Sequence, residues 1–141
     1  MSSADDFIAA ARSYVGVPFR HQGRSRAGVD CIGLVLCALA DVDLLPAQFN
    51  EPTNYGRRPN DARFLRGLEH WCYRSPRALL AGDLVLMCWP RMPYPMHIAV
   101  YSGTTIIHSY QSIGRVVESS YSDPWPARTH SWWGVPGVAR V

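Results

Sequence analysis

Gly28-Val29-Asp30-Cys31-Ile32-Gly33-Leu34-Val35 sets a cysteine at the join between a glycine-containing loop and an apolar run. The run from Cys31 to Ala40 has no proline and is rich in helix formers. It predicts a buried helix with Cys31 in its first turn. A thiol there meets unpaired backbone N–H groups and the positive end of the helix dipole, both of which favour thiolate. That is one way to prepare a cysteine nucleophile. A second reading is equally simple: most cysteines are small buried hydrophobes. On this stretch alone both stay open.

The surrounding composition narrows the class. A chain of 141 residues is long enough for one domain with a real core, so residues 1–141 are read as a single domain. Hydrophobic residues make up 48%, which excludes a disordered chain. A net charge of +3 gives no case for nucleic acid as a partner. All 14 basic residues are arginine, a bias that base composition explains better than ligand recognition does. Cys31 and Cys37 lie on different faces of one predicted helix and do not pair easily. Met1 to Asp6 is acidic and lacks a signal-peptide pattern, and no apolar stretch is long enough for membrane insertion. These features lead to an expectation of cytoplasmic synthesis with reduced thiols.

Working outward, Ser3 caps a first helix with Phe7, Ile8, Ala11, Tyr14 and Val15 on its apolar side. Gly16 and Pro18 end it, and Phe19 to Gly28 reads as a polar loop. Leu44 to Pro59 reads as irregular. Asn60-Asp61 reads as the cap of a third helix through Phe64, Leu68 and Trp71. Beyond Pro76 the period becomes alternating. Strands are expected at Gly82–Trp89, Met96–Tyr101, Thr105–Tyr110 and Arg115–Ser119, with a tight turn at Ser102-Gly103-Thr104. Ser122–Trp133 reads as loop and Val135–Val141 as a closing strand. Helices first and an antiparallel meander second make an α+β fold.

The hairpin supplies partners for the cysteine. His97 opens one strand and His108 lies near the end of the next, so antiparallel pairing makes them neighbours. With the Cys31 helix packed on that sheet, Cys31, His97 and His108 form nucleophile, base and orienting group. Against this stand a zinc site, for which no short-spaced ligand pair or fourth ligand is evident, and two ordinary core histidines. The reading therefore assigns no metal and no cofactor.

The ordered set of these motifs resembles the NlpC-type cell-wall cysteine peptidases, a papain-like family. It comprises Gly16-Val17-Pro18-Phe19-Arg20, the Cys31 stretch, Gly82-Asp83-Leu84-Val85, His97-Ile98-Ala99-Val100-Tyr101 and Ile106-Ile107-His108. The resemblance implies a papain-like fold, N-terminal helices packed on a C-terminal sheet. It makes Cys31 the nucleophile, His97 the general base and His108 the residue orienting it. It implies hydrolysis of an amide in the peptide stem of peptidoglycan, typically next to γ-D-glutamyl, through a thioester. The N–H of Cys31 is a natural oxyanion donor.

Asp30 matches a position that contacts the stem peptide, and it is equally well read as a helix cap. Phe19 stands where many relatives carry tyrosine, with His21 nearby as a substitute contact, and Ile32 stands where relatives commonly carry serine. Phe19 to Gln22 and the Asp-Cys-Ile-Gly form are most similar to a branch encoded in phage tail-assembly regions. Phage tail proteins are then partners, and the tail is a route to the wall or periplasm. An amidase with the same triad is an alternative activity. A tail-assembly protein with little activity is the non-enzyme alternative, with Trp89, Tyr94, Trp125, Trp132 and Trp133 as its interface candidates.

Overall fold

In the computed structural model, residues 2–45, 62–75 and 77–139 are described. In chain order the elements are β1 (Ser2–Ser3), α1 (Ala4–Arg12), β2 (Arg24–Ser25), β3 (Gly28–Val29), α2 (Cys31–Asp41), α3 (Arg63–Trp71), β4 (Tyr73–Arg74) and β5 (Leu84–Met87). They continue as β6 (His97–Tyr101), β7 (Thr105–Tyr110), β8 (Arg115–Ser120), α4 (Trp125–Arg128), β9 (Thr129–Gly134) and β10 (Val138–Ala139). Helices precede a six-stranded antiparallel sheet of order β4-β9-β5-β6-β7-β8. This is the α+β arrangement that the change of period predicts.

Both early helices begin as their sequences direct. Ser3 Oγ accepts the Asp6 N–H at 3.0 Å and Asp6 Oδ2 accepts the Ser3 N–H at 3.3 Å, a reciprocal capping box. Asp30 caps α2 through the Gly33 N–H at 2.8 Å. Helix α1 ends at Arg12, short of the expected Val15, because Ser13 to Gly16 turn toward the sheet, where the Gly16 N–H reaches the Val116 carbonyl at 2.9 Å. The Asn60-Asp61 cap lies outside the described residues, as does most of Leu44–Pro59; α3 itself runs from Arg63.

Alternation along the strands divides the apolar residues between two layers. Leu84, Leu86, Ile98, Val100, Ile107 and Val116 face the helices and join Phe7, Ile8, Leu34 and Val35 in the main core. Val85, Met87, Ala99 and Ile106 face the other way, into a smaller cluster with Trp125.

Three expectations are corrected. Ser122–Trp133 is not loop: it holds α4 and β9, and β9 lies inside the sheet between β4 and β5. Two prolines and four aromatic or histidine side chains within ten residues hide its alternation. Val138–Ala139 does not close the main sheet but pairs in parallel with Ser2–Ser3, tying the two ends of the chain together. The Phe19–Gly28 loop contains a short ladder, Arg24 to Val29 and Ser25 to Gly28.

Candidate active site

The site depends on a split in the sheet. β6 and β7 pair only at Val100–Ile107 and Tyr101–Ile106, next to their turn. Continuing the ladder would pair Ala99 with His108 and Ile98 with Ser109, but the strands part there. Ser109 Oγ instead donates to the Val29 carbonyl at 2.7 Å, and the Ile98 N–H donates to the sulfur of Cys31. The start of α2 thus enters from the helical layer and occupies the gap between the strands.

His97 and His108 face the opposite layer as diagonal neighbours, with His97 Nε2 2.7 Å from His108 Nδ1. His108 Nε2 lies 3.3 Å from Ser119 Oγ. The two histidines are therefore brought together, and the Cys31 sulfur takes a hydrogen bond from the backbone of Ile98, the residue after His97. With Nε2 of His97 engaged, Nδ1 is the nitrogen left for the thiol. If Nδ1 is to accept a proton, His97 carries its own on Nε2 and donates it to His108 Nδ1. His108 then carries its proton on Nε2 and donates to Ser119.

Aromatic rings enclose this pair. Trp89 stacks on His97 at 4.9 Å, Tyr110 stacks on His108 at 5.5 Å, and Trp125 meets His108 edge-on at 4.9 Å. The rings exclude water, and burial lowers both histidines. His97 lies well below its ordinary value, with the His108 and Arg128 charges adding to the effect; His108 falls to about 4. Both are neutral bases at neutral pH.

Cys31 is buried too, and there burial acts in the other direction. The thiol is pushed up to about 12, by desolvation first and the Asp30 charge second, against the Ile98 and Ile32 N–H groups and the Arg24 charge. This corrects the expectation of a thiolate: desolvation outweighs the helix terminus. The resting pair is neutral thiol and neutral imidazole. The Cys31 N–H has no acceptor among the described residues, whereas the Gly33 N–H is taken by Asp30.

Asp30 is occupied as a scaffold. Oδ1 accepts from Gly33 N–H and from Arg24 Nη1 at 2.9 Å, and Oδ2 accepts the Gln22 N–H at 2.9 Å. Phe19 and His21 are half-buried on the loop that these bonds hold against the start of α2, where Phe19 bridges to Val29. Of the aromatic residues considered for an interface, Trp133 is buried and Trp132 donates to the Arg77 carbonyl at 2.9 Å. Tyr94 is exposed, while Trp89 and Trp125 wall the histidines. That aromatic wall and Ser119 escaped the sequence reading; the crowding of tryptophans around Pro90 and Pro124 was the available signal. All four cysteines are free thiols.

The model of the NlpC/P60 family matches residues 16–134 of this chain. The chain belongs to the NlpC/P60 family. Members of this family are cysteine peptidases acting on peptidoglycan. The protein's fold is similar to that of an NlpC/P60 protein from Bacillus cereus, with TM-score 0.66 and 19% identity over 92% of this chain and 39% of that one. It is similar to the NlpC/P60 domain of the peptidoglycan hydrolase SagA, with TM-score 0.64 and 19% identity over 94% and 99%. It is also similar to the peptidoglycan hydrolase RipB from Mycobacterium tuberculosis, with TM-score 0.61 and 23% identity over 97% and 65%. The chain spans about two fifths of the length of the Bacillus cereus protein. No curated protein matches it in sequence. The papain-like fold that the motifs imply is the one these neighbours share.

Proposed function

We propose that this NlpC/P60 domain is a cysteine endopeptidase that hydrolyses an amide in the peptide stem of peptidoglycan, next to γ-D-glutamyl. The observation that carries this reading is the His97–His108 hydrogen bond beside the start of α2, where the Ile98 N–H donates to the Cys31 sulfur and the Cys31 N–H has no acceptor among the described residues. His97 Nδ1 takes the thiol proton as the sulfur bonds to the scissile carbonyl carbon, and the carbonyl π electrons move onto oxygen. The Cys31 N–H and the positive end of α2 stabilise that oxyanion. The oxyanion collapses, the C–N bond breaks, and the leaving amine takes the proton from His97. Water then attacks the thioester carbon and gives a proton to His97; the C–S bond breaks, the sulfur takes that proton back from His97, and the carboxylic acid is released.

The loop Phe19 to Gln22 and the Asp30 to Gly33 form support a place in the phage tail-assembly branch, with the tail carrying the domain to the wall. Digestion of purified sacculi followed by mass spectrometry tests the activity. The expected products are stem fragments with new amino ends, lost in Cys31→Ala. Cleavage at the lactyl-alanine bond would instead make the enzyme an amidase. Unchanged fragments from walls of several chemistries would overturn the hydrolase reading in favour of an assembly role.

A further inference from the structure

Trp89 has a neighbour that the hydrolytic steps leave unused. The Arg128 guanidinium lies 5.6 Å from the Trp89 ring centroid and 5.4 Å from that of Trp125. The Arg128 carbonyl accepts the Cys88 N–H at 2.8 Å, which pins the end of α4 beside the end of β5. Arg128 is half-buried in an open groove of about 660 Å³ that Trp89 and His130 also line. Among the described residues no carboxylate lies within salt-bridge distance of it. Among the described residues, Arg12 pairs with Glu118, Arg24 with Asp30, Arg26 with Asp41 and Arg77 with Asp83.

Two aromatic faces fix a guanidinium plane, and what remains to a ligand is its edge, a fork of N–H donors that fits a carboxylate. The groove is also part of the reaction centre's surroundings. Trp89 is wall to both: it stacks on His97, and it carries Arg128. An anion held there sits within one side chain of the general base.

We propose that this groove is a subsite for a free carboxylate of the substrate peptide, held by Arg128. The inference rests on the stem-peptide reading above and adds to it a selection rule. A γ-linked glutamyl residue leaves its α-carboxylate free beside the scissile bond, so such a peptide presents an anion where an ordinary α-linked peptide presents an amide. The subsite favours stems with free carboxylates over stems in which they are amidated.

Binding and turnover together separate this inference from the hydrolase reading. Calorimetry with Cys31→Ala protein measures binding of the stem tripeptide L-Ala-γ-D-Glu-diaminopimelate as free acid and with each carboxylate amidated in turn. One amidation is expected to weaken binding about tenfold or more, the worth of one charge-assisted contact. Adding Arg128→Gln is expected to erase that difference, and Arg128→Lys to restore part of it. In the wild-type enzyme the same amidation is expected to raise KM more than it lowers kcat. Equal binding of all forms, or binding of none, overturns the subsite whether or not the wild type cleaves. Selective binding without cleavage upholds the subsite and overturns the peptidase reading. A preference that survives Arg128→Gln overturns the assignment to Arg128.

Discussion

Around Cys31 the fixing contacts are polar, and those made through Asp30 are close in sequence. Asp30 holds Gly33, Arg24 and the Gln22 N–H, all within eight residues of itself. Around His97 they are aromatic and come from distant segments: Trp89 before the strand, Tyr110 at the end of β7, and Trp125 in α4. Both surroundings remove water, yet they act in opposite directions on proton affinity, raising the thiol and lowering the imidazole. The two therefore rest as a neutral pair, and the proton moves when substrate arrives. A hydrogen-bonded scaffold fixes where the sulfur is, while an aromatic enclosure fixes what the base is.

The largest test of this division removes the base itself. His97→Ala is expected to lower kcat/KM about 10²–10⁴-fold while leaving the α2 start intact. A neutral resting pair has a second signature. Alkylation of Cys31 by iodoacetamide is expected to be slow at pH 7 and to rise only in strong base. A fast, pH-independent plateau would mean an ion pair and break the comparison.

Asp30→Ala attacks the other region. It removes the α2 cap and leaves Arg24, half-buried, without its carboxylate. Breaking a buried ion pair of this kind costs about 3–5 kcal/mol, and urea unfolding measures it. Asp30→Asn keeps the cap acceptor and is expected to lose less. If both variants keep full stability but lose substrate binding, Asp30 is a ligand contact rather than a scaffold.

The two regions also differ in how far the sequence disclosed them. The Cys31 helix, its Asp30 cap and the β6–β7 turn rest on local signals: a proline-free apolar run, an acid three residues before Gly33, and Ser102-Gly103-Thr104 between two alternating strands. The aromatic enclosure has no such signal, because Trp89, Tyr110 and Trp125 come from three separate segments that only the tertiary fold brings together. β9 was itself illegible, since Pro124 and Pro126 stand just before it and its tryptophans Trp132 and Trp133 break the contrast between faces. The thiol's protonation state is hidden from the sequence for a related reason. A helix start is visible in sequence, but the depth at which it is buried is not.

The acid limb of the rate profile sharpens the aromatic side. The active base is neutral, and burial lowers His97 well below 6.5, so kcat/KM is expected to hold as pH falls through 6.5 and to decline only lower. Stability follows the same sign. The unfolded chain takes up protons first, so stability is lost as pH falls below 6.5, continuing toward 4 for His108. Trp89→Leu lets water reach His97 and is expected to move the limb upward, toward 6.5. It also forfeits about 0.5–1.5 kcal/mol of ring stacking. A limb that stays in place would assign the shift to something other than the aromatic wall.

Ser119→Ala is expected to have the smallest effect, and it tests the end of the relay. Ser119 touches neither substrate nor sulfur; it acts through His108, whose Nε2 lies 3.3 Å from its hydroxyl. Without that acceptor, His108 is free to carry its proton on Nδ1. That proton would point at His97 Nε2 and force His97 to carry its own on Nδ1, the nitrogen the thiol needs as an acceptor. The loss is that of one neutral hydrogen bond, about 0.5–1.5 kcal/mol, or roughly two- to tenfold in kcat. KM is expected to be unchanged, because no substrate contact is removed. Ser119→Thr keeps the hydroxyl and is expected to restore kcat, which distinguishes a tautomer-setting role from simple packing. Equal loss in the alanine and threonine variants would end the relay at His108.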